Sequence, residues 1–136
     1  MPRLESELMD GLPIIRILIR QGAGESYVET PMPLSAGLDT GANEVFSAPG
    51  ILSGFGFVAT HRWNVQTGSP ASEQVDGFDV DVGVFGPDEE LHWFPLRVAE
   101  MPNMPLLGCQ LGLGHPFLRK CVLVCDGPNE KFTLDW

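Results

Sequence analysis

Ser35-Ala36-Gly37-Leu38-Asp39-Thr40-Gly41-Ala42-Asn43 runs a short apolar approach into an aspartate, followed by a small hydroxyl residue, a glycine and an alanine. An acidic side chain at the end of a buried strand is costly unless it is used in chemistry or well hydrogen-bonded. Gly41 allows a tight turn after Asp39 and lets its own amide approach the carboxylate. The Thr40 hydroxyl can lock that turn against a neighbouring backbone group. The residues by themselves fit two readings: a carboxylate kept for chemistry, or a turn in which Asp39 caps local amides.

Working outward, the flanking chain reads as strands and turns. Leu12 to Arg20 is dense in isoleucine, which favours a strand over a helix. Gly22-Ala23-Gly24 is a turn, Tyr27 to Thr30 is a short strand, and Leu34 to Leu38 leads into the aspartate. Downstream, Val58 to Gln66 and Val75 to Phe85 are two strands joined by Thr67-Gly68-Ser69-Pro70, the pattern of a hairpin. In the second strand Phe78, Val80, Val82 and Val84 alternate with Asp79, Asp81 and Gly83, so one face is buried and the other solvated. Leu91 to Ala99 is another strand. A short helix is expected between Cys109 and Leu118, and Cys121 to Leu134 is a closing hairpin. Short strands at regular spacing predict an all-β, barrel-like domain. Residues 1–11 are read as a leader, loose or one helical turn, and 12–136 as a single domain.

A second segment bears on Asp39. Met104-Pro105-Leu106-Leu107-Gly108 is an apolar pair closed by glycine in the last third of the chain. Asp39-Thr40-Gly41-Ala42 followed by Leu106-Leu107-Gly108 resembles the retropepsin-like aspartic proteases. The resemblance covers roughly Leu12 to the end. It implies an all-β acid-protease barrel with one short helix near the C-terminus, and an aspartic endopeptidase acting without a cofactor. Asp39 would be the catalytic residue, and Thr40, Gly41 and Ala42 the rest of the active-site loop. Asn43 would contact substrate, or be a solvated turn residue. Gly68 and Ser69 would form the tip of a flap over the substrate. Leu106, Leu107 and Gly108 would support the loop from behind. One Asp-Thr-Gly per chain makes half a two-carboxylate site, so the resemblance implies a homodimer acting on a peptide or protein substrate. Phe132 to Trp136 would then be a dimer contact, or an ordinary edge strand.

Two features depart from the family pattern. Cys109 and Gln110 stand where Arg and then Asp or Asn commonly follow the apolar-apolar-Gly segment, and Cys cannot make the ion pairs of Arg. The hairpin tip has fewer glycines than the viral members. These departures keep open a reading from another class, a dimerisation or peptide-binding module with little or no turnover. An unrelated small barrel that happens to carry Asp-Thr-Gly is a third.

Composition excludes several alternatives. The 136 residues carry 43% hydrophobic and 19% charged side chains, a globular balance for one domain. The net charge of −10 repels phosphate backbones, so nucleic acid is not an expected partner. No stretch has transmembrane length, and no membrane partner is expected. The three cysteines are an odd number and fit a reducing cytoplasm better than a disulfide scaffold. His61, His92 and His115 stand at no zinc-ligand spacing, so no metal is expected and each is read as a surface or packing residue. Cys109, Cys121 and Cys125 make no Cys-X-X-Cys site and are read as buried apolar residues.

Overall fold

The computed structural model describes residues 2–66, 72–102 and 108–136. Its strands in chain order are β1 (Arg3–Glu7), β2 (Ile14–Gln21), β3 (Val28–Glu29), β4 (Leu34–Leu38), β5 (Val45–Ser47), β6 (His61–Gln66), β7 (Ser72–Phe85), β8 (Leu91–Glu100), β9 (Leu111–Leu113), β10 (Val122–Asp126) and β11 (Lys131–Asp135). Two short helices interrupt them, α1 (Ile51–Gly54) and α2 (His115–Leu118). The helix near the C-terminus was expected. α1 was not, because glycine alternates with large apolar residues from Ile51 to Phe57, a pattern of tight packing that names no helix. Glu100 creates it by accepting hydrogen bonds from the Gly50 amide at 3.1 Å and the Ser53 amide at 3.2 Å. Both amides lie at the start of the helix, where donors lack partners within it.

The larger sheet runs β3-β2-β4-β9-β5-β8-β7-β6, and a further pairing of β2 with β7 closes it into a barrel. That closure joins Ile17 to Val84 and Ile19 to Val82, antiparallel. It is possible because β7 is 14 residues long: β6 pairs with residues 72–77 and β2 with residues 81–84, while β8 pairs with residues 77–85 on the other edge. Alternation does the rest: Ile15, Ile17 and Ile19 of β2, Phe78, Val80, Val82 and Val84 of β7, and Leu96 and Val98 of β8 all point inward. Burial of each such side chain contributes about 1.5–3 kcal/mol. Phe117 on α2 is fully buried and meets Phe94 edge to face with centroids 5.2 Å apart, which anchors the helix to the barrel.

A second sheet has the order β1-β11-β10. Arg3–Glu7, expected to be loose or helical, is therefore a strand. Its one apolar residue, Leu4, pairs with the buried Leu134, and Arg3 bonds Asp135 through two contacts at 2.7 and 3.0 Å. β11 is also not the edge strand considered above. It is the middle strand, with Phe132 and Leu134 buried in the chain's own core. The exposed edges belong to β1 and β10, and Val122 and Val124 on β10 are about half exposed.

Candidate active site

Asp39 stands one residue beyond β4, and the ladder runs on just far enough to hold it. The Leu38 amide donates to Pro13 O at 3.0 Å and the Asp39 amide to Leu113 O at 3.0 Å. The chain then turns: the Ala42 amide donates to Asp39 O at 3.3 Å, and the Gly41 amide donates to Asp39 Oδ1 at 2.9 Å. A β-carbon on Gly41 would sit 3.3 Å from Oδ1, a tight contact, so glycine suits this close approach. Asp39 is half-buried, Ala42 is buried, and Thr40, Gly41 and Asn43 are exposed.

Asp39 opens into a cavity of about 350 Å³. Its walls are mainly apolar, from Leu12, Ile14, Phe46, Leu111 and Leu123, with Cys109 and Cys125 also lining it. A carboxylate beside such walls interacts more strongly with any partner than it would in water. A larger concavity of about 590 Å³ lies elsewhere and has a different character. There Arg20 pairs with Asp81 at 3.1 Å and Arg97 with Asp79 at 3.0 Å, so its charges largely answer one another. Burial pulls the Asp79 carboxyl upward, but hydrogen bonds from Arg97 and His61 outweigh it and hold the group below the usual range.

The segment behind the loop is not the one expected. β9, Leu111-Gly112-Leu113, lies parallel to β4 and antiparallel to β5, passing directly behind the aspartate. Gly114 closes it, and α2 follows. Leu106-Leu107-Gly108 was expected in this position. Gly108 is instead an exposed turn residue with φ of 87°, and Leu106 and Leu107 lie outside the described residues. The same is true of Gly68 and Ser69 at the hairpin tip, although β6 and β7 form the expected hairpin. Gly112 displaced the pattern. It stands opposite Phe46, whose ring fills the space where a side chain would go, so a glycine interrupts the apolar pair.

With β9 in this position, the residues after the closing glycine are His115 and Pro116, not Cys109 and Gln110. Gln110 has another role: its Oε1 accepts from the Ser35 amide at 2.8 Å and its amide donates to Ser35 O at 3.0 Å, clamping the start of β4. Cys109 is buried beside Gly37, and burial pushes its thiol pKa up. Cys121 is half-buried, and the same cause pushes it to about 11. Cys125, expected to be buried, is exposed, because β10 is an edge strand.

His115, read as a surface or packing residue, is exposed, and the structure also gives it two contacts to the aspartate loop. Its amide donates to Ala42 O at 2.9 Å, and its ring Nε2 lies 2.7 Å from Thr40 O. A carbonyl oxygen only accepts, so Nε2 carries the proton. Nothing in the sequence near His115 announces this, since Thr40 is 75 residues away.

Among the described residues, no group of three His, Cys, Asp or Glu side chains could hold a metal ion. No described helix is long and apolar enough to cross a membrane. No protein-family model matches the chain, and no curated protein matches it. Solved structures do. A crystal structure of a retropepsin-like aspartic protease from Rickettsia conorii superimposes over 98% of this chain and 90% of its own, with a TM-score of 0.66 at 11% identity.

The fold is retropepsin-like.

The EIAV protease in complex with the inhibitor HBY-793 also matches, over 80% of this chain and 86% of its own, with a TM-score of 0.42 at 17% identity. At such identities the likeness is one of architecture. In this chain the retropepsin-like barrel keeps β4, β9 and α2 clustered around the single Asp-Thr-Gly loop.

Proposed function

We propose that the chain is an aspartic endopeptidase that hydrolyses peptide bonds with two copies of Asp39, one from each subunit of a homodimer in the cytoplasm. The observation that carries this is Asp39 itself: a half-buried carboxylate fixed by the Gly41 amide, facing an apolar cavity at the end of a barrel strand. A carboxylate that served only to cap the turn would not need such a cavity. Two such groups about 3 Å apart cannot both ionise and would share one proton. The ionised member takes a proton from a water between them, while the protonated member polarises the scissile carbonyl. The water oxygen adds to the carbonyl carbon, and the leaving amine departs with a proton from the pair. No cofactor is required. Thr40, Gly41 and Ala42 hold the loop, Asn43 offers contacts to the peptide, and the β6–β7 hairpin with Gly68 and Ser69 at its tip folds over it.

The test is cleavage of a mixed peptide library from acid to neutral pH, with and without a pepstatin-type inhibitor. Inhibitor-sensitive cutting that vanishes in Asp39→Asn, with the oligomeric state unchanged, supports the protease. An Asp39→Asn chain that still cuts overturns it.

The second reading is a dimerisation or peptide-binding module with little or no turnover, and one observation bears on how either would dimerise. β11 is paired on both sides within its own chain, so terminal strands can join two subunits only through the edges of β1 or β10. Peptide binding that is independent of Asp39, by a sample that is dimeric and does not cut, would establish that alternative.

A further inference from the structure

We propose that His115 is a positioning residue for Asp39, acting through the single peptide unit that joins Thr40 to Gly41. This rests on the reading of Asp39 as catalytic. The carbonyl of that unit, Thr40 O, takes the His115 Nε2–H at 2.7 Å. The amide of the same unit, Gly41 N–H, donates to Asp39 Oδ1 at 2.9 Å. The peptide is planar and resists twisting, so fixing its oxygen also fixes the direction of its N–H. The two bonds form one chain, Nε2–H···O=C–N–H···Oδ1. Each bond in such a chain polarises the next, and donation into the carbonyl makes the amide a better donor. His115 thus reaches the carboxylate without touching it.

The surrounding structure aims the ring. Gly114 lets the chain pass hard against the Ala42 and Glu44 carbonyls, and the His115 amide then bonds Ala42 O at 2.9 Å. His115 opens α2, which the buried Phe117 locks to the barrel. The ring therefore extends from a rigid base over the peptide between Thr40 and Gly41. Thr40 and Gly41 are both exposed, and water would otherwise compete for their polar groups.

The experiment compares the full-length chain with His115→Leu and His115→Gln. Both variants keep the backbone bond to Ala42, and glutamine can return a side-chain N–H to Thr40 O. NMR of the ¹⁵N-labelled chain reads the relay directly. The wild-type imidazole shows a proton on Nε2. In His115→Leu the Gly41 amide proton moves upfield as its bond to Asp39 weakens, while the Leu38 amide stays in place, and His115→Gln moves it back. In kinetics His115→Leu lowers kcat by roughly five- to tenfold with KM little changed, the effect of one neutral hydrogen bond. His115→Gln recovers most of the loss. An unmoved Gly41 amide in His115→Leu, or leucine and glutamine variants with equal kcat, overturns the role given to His115. A wild-type chain that cuts no peptide overturns the protease reading alone, and the Gly41 shift then still decides whether the relay exists.

Discussion

Gly114 packs so closely against Ala42 that a β-carbon on the glycine would lie 2.5 Å from the Ala42 carbonyl oxygen. The Glu44 carbonyl is on the same side and also in contact range. Both obstacles are backbone, so neither can swing away. This contact brings the start of α2 onto the aspartate loop, and the His115 amide depends on it. Gly114→Ala is expected to destabilise the fold by roughly 1–3 kcal/mol, the usual cost of overpacking. A urea titration with an unchanged m-value would read the loss as a lower midpoint. Cleavage should fall further than stability alone accounts for, because the loop is displaced. An Ala variant with wild-type midpoint and activity would show that the loop and helix are not coupled here.

Much of the barrel is legible because alternation survives wherever one face is buried. Phe78, Val80, Val82 and Val84 announce β7, and Ile15, Ile17 and Ile19 announce β2, before any partner is known. Asp39 is legible for a similar local reason, since the turn chemistry of Thr40 and Gly41 is contained in three residues. What stays hidden depends on distant partners. β1 has one inward apolar residue, Leu4, and becomes a strand because β11 supplies the pairing from the other end of the chain. β9 is hidden because Gly112 yields its side-chain volume to Phe46, and Leu106-Leu107-Gly108 then matches the expected pattern better than the strand that actually passes behind Asp39. His115 depends on a contact 75 residues away in sequence.

Phe117 is the side chain that ties α2 to the barrel. It is fully buried and stacks edge to face on Phe94. Phe117→Ala should cost about 3–5 kcal/mol, through lost burial and the cavity left behind. The helix carries His115, so the loop should loosen with it. Hydrogen exchange at the Asp39 and Ala42 amides would then speed up more than exchange in β7. A uniform change across the barrel would mean that α2 does not hold the loop in particular.

Asp79 predicts a pH dependence. Its carboxyl is held below its ordinary value of 3.8 by Arg97 and His61, against the opposing pull of burial. A lowered folded-state pKa means that the unfolded chain binds the proton more readily. The stabilisation is therefore complete above the unfolded value and is lost as pH falls through the folded one. The group is about half exposed, so solvent screening limits its worth to roughly 1 kcal/mol or less. Asp79→Asn should lower the urea midpoint at pH 7, and the gap from wild type should shrink as the pH is taken below about 3.8. An equal gap at pH 7 and pH 3 would remove the ion pair as its cause.

The three cysteines should separate by reactivity. Cys125 is exposed on the edge strand β10, whereas burial raises the thiol pKa of Cys109 and brings that of Cys121 to about 11. The thiolate is the nucleophile, so at pH 8 Cys121 presents on the order of a thousandth of its sulfur in reactive form. Ellman's reagent should find one fast thiol and two slow ones, with all three fast in denaturant. Cys125 also lines the cavity that holds Asp39, so its labelling reports on that cavity. A pepstatin-type ligand seated over the aspartate should slow labelling of Cys125, and of Cys109 in the same cavity wall, and leave Cys121 alone, as followed by mass spectrometry of the labelled peptides. Fast labelling of Cys125 that is indifferent to a bound inhibitor would mean that the ligand sits outside this cavity, and the walls of the binding site would have to be sought elsewhere around Asp39.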